Sequence, residues 1–219
     1  MNRWLENHIS LISYKDPFDE KLNAHSHFIG GYLAIAGLML VLMMRDLYTS
    51  AATEAGMLIF ATTIILLYFA SGFYHYLEPG NGKRFCRIMD HMNIYILIAG
   101  SYTPILLYID TPKAMGILVA IWSLMVIGTI LTVAFWGKLR IAHVVLYFIM
   151  GWLCVFFAGD IFPLLPAGLP KWMLMGGITY SVGIIFYGGK KIPHHHFIWH
   201  IFTMLGSLFF YAGYLIYLR

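Results

Sequence analysis

The amino-acid sequence predicts an all-α integral membrane protein with seven transmembrane helices. Of its 219 residues, 60% are hydrophobic and only 11% are charged, whereas soluble chains average about 45–50% apolar and about 25% charged residues. Because so little charge cannot cover a water-facing surface of this size, we expect the chain to lie in a bilayer. The same composition argues against a disordered, fibrous, disulfide-stapled or nucleic-acid-binding protein, and no nucleic-acid partner is expected.

The first three predicted helices cover residues 25–44, 53–77 and 88–109. Each is mostly apolar over the length of about 20 residues that a spanning helix needs. Charged and turn-forming residues separate them, at Arg45-Asp46 and in the sequence Glu-Pro-Gly-Asn-Gly-Lys of residues 78–83. A charged segment of about two dozen residues precedes the first helix, which is unlike a cleavable signal sequence.

The remaining four predicted helices cover residues 114–136, 141–159, 172–189 and 194–218. Their breaks are rich in proline, glycine and lysine, at 110–113, 137–138, 163–170 and 188–193. These loops are too short to fold alone. We therefore expect one seven-helix domain of residues 25–219, preceded by a cytoplasmic tail of residues 1–24.

The distribution of Lys and Arg predicts the orientation. The tail and the loops on its side hold ten, which are Arg3, Lys15, Lys21, Lys83, Arg84, Arg87, Lys138, Arg140, Lys190 and Lys191. The other side holds four, which are Arg45, Lys113, Lys171 and Arg219. Because short cytoplasmic loops are enriched in Lys and Arg, we expect a cytoplasmic N-terminus, an outer C-terminus and a multi-pass protein of the cell's inner (plasma) membrane.

All ten histidines fall on the predicted cytoplasmic side, at positions 8, 25, 27, 75, 91, 143, 194, 195, 196 and 200. Those nearer the bilayer core cost free energy unless they have partners, and ionisable residues at such depth indicate function. His196 and His200 are four residues apart and share a helix face. With a third histidine they could hold a zinc ion that keeps one open position. His75 fits that role by side and depth, although the sequence does not select it over His27, His91 or His143.

The predicted depth of the histidines suggests a lipid substrate. Counting about 1.5 Å per residue from Pro193 places His200 roughly 10 Å into its helix, where a membrane lipid carries its ester or amide bond. Zinc with an open position activates water and polarises a carbonyl. The residues alone therefore suggest hydrolysis of a lipid amide or ester. The simpler alternative is that His196 and His200 are interfacial residues that hydrogen-bond lipid headgroups or backbone carbonyls.

The same residues carry a family resemblance. The motifs are Glu20-x2-Asn23-x2-Ser26-His27-x2-Gly30, Ser71-x3-His75, Asp90-His91-x3-Tyr95 followed by residues 99–104, and His196-x3-His200. In combination they resemble the hemolysin III family of bacterial membrane proteins, which belongs with the progestin and adipoQ receptors and more distantly with alkaline ceramidases. The match runs from about residue 19 to the C-terminus.

The resemblance implies a site and a role. It implies a Zn²⁺ ion held by His75, His196 and His200, with Asp90 orienting or deprotonating water and Ser71 bonding to the water or to substrate. The family is linked to cell lysis and to membrane lipid and fluidity homeostasis. His27, Asn23 and Glu20 lie near the same face, where capping and helix packing are as plausible as support of the ligands.

Three functions follow as hypotheses. The first is a ceramidase-like zinc-dependent hydrolase, with a membrane lipid as substrate. The second is a zinc-stabilised sensor or homeostasis protein, with lipid as ligand and no turnover. The third is a cytolytic, pore-forming protein. The absence of charged residues near the middle of any predicted helix disfavours an ion pathway within a monomer, which leaves lysis through an oligomer or through altered lipid composition. The sequence does not indicate whether the protein is a monomer or an oligomer.

Overall fold

The computed structural model describes residues 2–11, 17–138 and 140–219. Those residues form helices and turns, with no strand among them. Lys15, which entered the charge count above, lies outside the described residues. The helices are α1 (Asn2–His8), α2 (Pro17–Met43), α3 (Ala51–Tyr76), α4 (Asn81–Ile109), α5 (Pro112–Ala134), α6 (Arg140–Phe156), α7 (Ala158–Ile161), α8 (Leu169–Gly188) and α9 (His195–Tyr217), with 3₁₀ turns at Arg45–Leu47 and Phe162–Leu164.

Capping residues set two of the helix starts. The Ser50 side chain accepts a hydrogen bond from the Thr53 backbone N–H before α3, and the Thr111 side chain does the same for Ala114 before α5. Each bond satisfies one of the backbone donors that have no partner within the helix. Pro112 follows Thr111 as the first residue of α5, where its missing N–H costs nothing.

Two helices begin about two turns earlier than the apolar segments predicted. Helix α2 begins at Pro17 rather than at residue 25, and α4 begins at Asn81 rather than at residue 88. The added turns are polar, and Asp19 and Glu20 lie in the first turn of α2, where the helix dipole favours negative charge. A search for apolar runs cannot find such turns. Part of the predicted tail is therefore helix.

Five helices in the described part of the chain are long and apolar enough to cross a membrane, namely α2, α3, α4, α5 and α9. A sixth span is possible if α6 continues through α7 and the following 3₁₀ turn, with a bend of 48°. Helix α8 coincides with the predicted segment 172–189 but is not among them, because Lys171, four glycines and two tyrosines dilute its apolar residues. The fold is thus that of a multi-pass, all-helical membrane protein.

Helix α3 packs between α2 and α4, α8 packs along α9, and α2 also meets α9. Gly56 allows the close approach of α3 and α4, since a Cβ atom there would lie 2.7 Å from Pro104 Cα. Helix α4 continues through Pro104, which is buried. A cavity of about 1300 Å³ lies among α3, α4, α6, α8 and α9.

Candidate metal centre

Three histidines from two helices form one cluster. His75 lies in the last turn of α3, while His196 and His200 lie in the first two turns of α9. One ring nitrogen from each lies within 4.8 Å of the others. His75 and His200 are buried and His196 is half-buried. Of the four histidines that the sequence left open as a third partner, the structure thus brings His75 beside the pair.

The other three of those four lie outside the cluster. The His27 ring stacks on that of His200, with centroids 3.5 Å apart and planes within 9°. His91 donates from Nδ1 to the Arg87 carbonyl at 2.9 Å. The Nδ1 atom of His143 lies 2.9 Å from the Tyr95 hydroxyl. His91 and His143 therefore have polar contacts inside the helix bundle.

Helix α2 contacts the Nδ1 atoms of two of the clustered rings. His75 Nδ1 donates to the Glu20 carboxylate at 2.6 Å. His200 Nδ1 lies 3.2 Å from the Asn23 carbonyl oxygen and 3.1 Å from Ser26 Oγ. A neutral imidazole whose Nδ1 donates keeps its lone pair on Nε2.

This arrangement is the one that metal-binding histidines adopt. Such a histidine donates its other ring N–H to a carboxylate or backbone carbonyl, which fixes the tautomer and the ring orientation. Three neutral imidazoles suit zinc better than magnesium or calcium, which prefer oxygen ligands. The cluster is therefore compatible with a metal site.

Lys83 also belongs to this region, although its place in the sequence indicates only a charged loop residue. Its side chain is 6% exposed and its Nζ lies 3.3 Å from Glu20 Oε1. The same Nζ donates to the Leu77 carbonyl at 3.0 Å and lies 3.4 Å from that of His75. Lys83 thus balances the charge of Glu20 and ties the end of α3 to the start of α4. No sequence spacing links Lys83 to Glu20, so only the tertiary fold reveals the pair.

Ser71 and Asp90 lie on the wall of the cavity, together with His196 and His200. Ser71 is buried one turn before His75 on α3. The Asp90 side chain is 17% exposed, and its carboxylate lies 3.7 Å from His91 Nδ1. Asp90 is not within the 4.8 Å cluster. The two residues predicted for chemistry therefore face the same space as two of the histidines without joining them.

Asn23 and His27 are polar groups buried on one face of α2. Asn23 is fully buried, and neither its side-chain oxygen nor its nitrogen has a hydrogen-bond partner in the described part of the chain. His27 Nε2 lies 3.3 Å from Thr203 Oγ1, while its Nδ1 has no such partner. Buried polar groups in proteins are nearly always hydrogen-bonded to protein, water or a ligand. Asn23 and His27 thus mark a polar part of the helix interface beside the histidine cluster.

Known proteins match the part of the chain that contains the histidine cluster. A family model described as "Haemolysin-III related" matches residues 16–211. A "Hemolysin-3 homolog" of Bacillus subtilis (strain 168) is 36% identical over 190 residues, which cover 86% of this chain and 89% of the relative. "Hemolysin-3" of Bacillus cereus is 34% identical over 190 residues, covering 86% and 87% respectively. Helix α1 precedes the matched region.

Proposed function

Because this chain belongs to the hemolysin III family of membrane proteins, we propose that it is a zinc-dependent hydrolase of a membrane lipid amide or ester that contributes to lipid and fluidity homeostasis. One observation carries the proposal. Three imidazoles form one cluster, α2 contacts two of them at Nδ1, and His196 and His200 line a large cavity that Ser71 and Asp90 also line.

His75, His196 and His200 are the proposed ligands. A zinc ion with three protein ligands and one open position supplies Lewis acidity and an activated water. Glu20 and the Asn23 carbonyl hold the rings of His75 and His200 in the ligating orientation. His27 restricts the His200 ring by stacking against it.

Asp90 and Ser71 are the proposed catalytic residues. The Asp90 carboxylate can accept a proton from water and return it to the leaving group, as general acid–base catalysis requires. The Ser71 hydroxyl can donate a hydrogen bond to a carbonyl oxygen on which negative charge develops. The apolar remainder of the cavity can hold an acyl chain and exclude bulk water from both groups.

The topology belongs to the same proposal. We take α2, α3, α4, α5, the bent α6–α7 unit, α8 and α9 as seven spans, with the N-terminus in the cytoplasm and the protein in the inner membrane. The ten-to-four distribution of Lys and Arg supports this orientation. Labelling single introduced cysteines at Asn2 and Arg219 in intact cells tests it, since only the second should react with a membrane-impermeant reagent.

Metal analysis and lipid turnover test the enzyme. Purified wild type should hold about one zinc per chain and release fatty acid from an N-acyl lipid or a phospholipid. His200→Ala should lose both properties, whereas Asp90→Ala should keep the metal and lose turnover. A zinc-loaded wild type that releases fatty acid from neither lipid class would contradict the proposal.

A stabilising, non-catalytic metal is the second candidate. The cluster joins α3 to α9, and a metal that links two helices in this way stabilises their packing. On this alternative, Asp90→Ala would leave function in cells intact, and only loss of the histidines would impair it. The name of the relatives points to cell lysis, which we assign here to altered lipid composition rather than to a pore.

A further inference from the structure

Arg87 is a buried cation on the cavity wall, one turn of α4 before Asp90. It is only 4% exposed and lines the cavity. Its guanidinium lies 5.3 Å from the centroid of the Trp136 ring and 5.9 Å from that of Tyr74. One terminal nitrogen donates to the carbonyl and the hydroxyl of Ser10. The guanidinium is thus fixed in place by aromatic rings and by the segment that follows α1.

The charge of Arg87 has no matched anion in the described part of the chain. No described carboxylate lies within 4.0 Å of it, and its buried Nε has no hydrogen-bond partner there. A buried guanidinium is most stable with an anion close to it. A guanidinium pairs best with carboxylate or phosphate, which accept two of its N–H groups at once. The position therefore favours an anionic ligand.

Other positive charges at the same end of the cavity also favour an anionic ligand. Lys190 and Lys191 line the same end of the cavity, in the loop between α8 and α9. Among the described residues that line this end, the carboxylates are Asp90 and Asp19, and Asp19 pairs with His194. Cationic side chains therefore outnumber carboxylates in this part of the described lining.

The rest of the cavity suits a long apolar chain. Its walls include Ile98, Ile105, Phe148, Leu174, Ile184 and Phe210. Its volume of about 1300 Å³ exceeds the roughly 300–1000 Å³ of pockets for drug-sized ligands. An anionic group at one end and an extended apolar space beyond it together describe an amphiphile.

We propose that Arg87, assisted by Lys190 and Lys191, binds the phosphate of an anionic glycerophospholipid whose acyl chains occupy the cavity. Asp90 lies three residues further along α4, a rise of about 4.5 Å. In a glycerophospholipid only the glycerol unit separates the phosphate from the ester carbonyl, so a phosphate at Arg87 brings the ester towards Asp90. An uncharged ceramide would leave Arg87 unmatched, and the choline of a zwitterionic lipid would place a cation beside the two lysines. The lipid site itself does not depend on hydrolysis. Only the identity of the cleaved bond, an ester rather than an amide, rests on the proposed function.

Native mass spectrometry of the delipidated full chain tests the binding site. Phosphatidylglycerol, phosphatidylcholine and oleate are titrated separately into the protein in detergent. Wild type should retain phosphatidylglycerol about tenfold better than phosphatidylcholine. The affinity of Arg87→Gln for phosphatidylglycerol should be about tenfold or more below that of wild type, as expected for loss of a charge-assisted hydrogen bond. Lys171→Gln is the matched control, because Lys171 lines the cavity at the other end of α8 and should leave the preference unchanged.

Specific outcomes would overturn this site. Equal retention of the two phospholipids by wild type would contradict a phosphate site at Arg87. An unchanged preference for phosphatidylglycerol in Arg87→Gln would contradict it as well. Retention of oleate alone, with dependence on Arg87, would identify a free carboxylate and overturn the phospholipid assignment. If Arg87→Gln fails to fold, the double variant Lys190→Gln/Lys191→Gln must weaken the preference. His200→Ala, which removes the proposed metal, should keep it, so failure of the hydrolase and failure of the lipid site are separable.

Discussion

Replacing Glu20 by Gln tests whether α2 controls the affinity of the histidine cluster for metal. The substitution keeps the shape of the side chain and removes the charge that faces both His75 Nδ1, at 2.6 Å, and Lys83 Nζ, at 3.3 Å. Loss of such an outer partner typically lowers metal affinity by about 10–100-fold, which corresponds to about 1.4–2.7 kcal/mol. We expect a weakening of zinc binding within that range.

Competition with a chromophoric chelator measures this change on purified protein in detergent. Asp46→Asn is the matched control, because the Asp46 side chain is 92% exposed in the 3₁₀ turn and lies beyond the other end of α2 from Glu20. Glu20→Asp, which retains the charge at a shorter reach, should fall between wild type and Glu20→Gln. A zinc affinity for Glu20→Gln within threefold of wild type, with no change in thermal stability, would refute the role assigned to Glu20.

Three further predictions follow from the site and the packing. Asp90→Ala should keep wild-type zinc content while lipid turnover falls by about 10²–10⁴-fold, and loss of the metal in that variant would instead make Asp90 a ligand. Added zinc should raise the unfolding temperature of wild type in a concentration-dependent way, since a hundredfold excess of zinc over Kd adds about 2.7 kcal/mol to the free energy of unfolding. His200→Ala should show no such shift. Gly56→Ala should cost about 1–3 kcal/mol because the new methyl meets Pro104 Cα at 2.7 Å, whereas Gly116→Ala, where no atom lies within 4 Å, should not destabilise the protein. Thermal denaturation of the two glycine variants side by side decides this last point.

The amino-acid sequence predicts the apolar part of this fold well and its polar turns poorly. Six of the seven predicted segments each coincide with one helix, and segment 141–159 falls on α6 and α7. Long apolar segments of a membrane protein form helices because a backbone in lipid must satisfy its hydrogen bonds internally. The first turns of α2 and α4 are rich in charge, so apolarity does not reveal them. The bend between α6 and α7 breaks a continuous apolar segment, and hydropathy carries no signal for such a bend.

The sequence likewise predicts some features of the candidate site and not others. The pairing of His196 with His200 follows from helical periodicity, which is a local property. The proximity of His75 to that pair depends on how α3 packs beside α9, and spacing along the chain does not encode it. Lys83 illustrates the limit most clearly, because its burial beside Glu20 requires three helices to be in place.

The contacts of α2 with α9 also set an order of events during synthesis. Asn23 and His200 are separated by 177 residues, so α2 leaves the ribosome long before its partner exists. Contacts between such distant segments form late, because closing the intervening chain is entropically costly. Until α9 arrives, Glu20 and Asn23 can hold at most one of the three proposed ligands. Metal capture is therefore expected only in the completed chain, which makes metal content a measure of correct assembly and leaves truncated products unable to bind the ion.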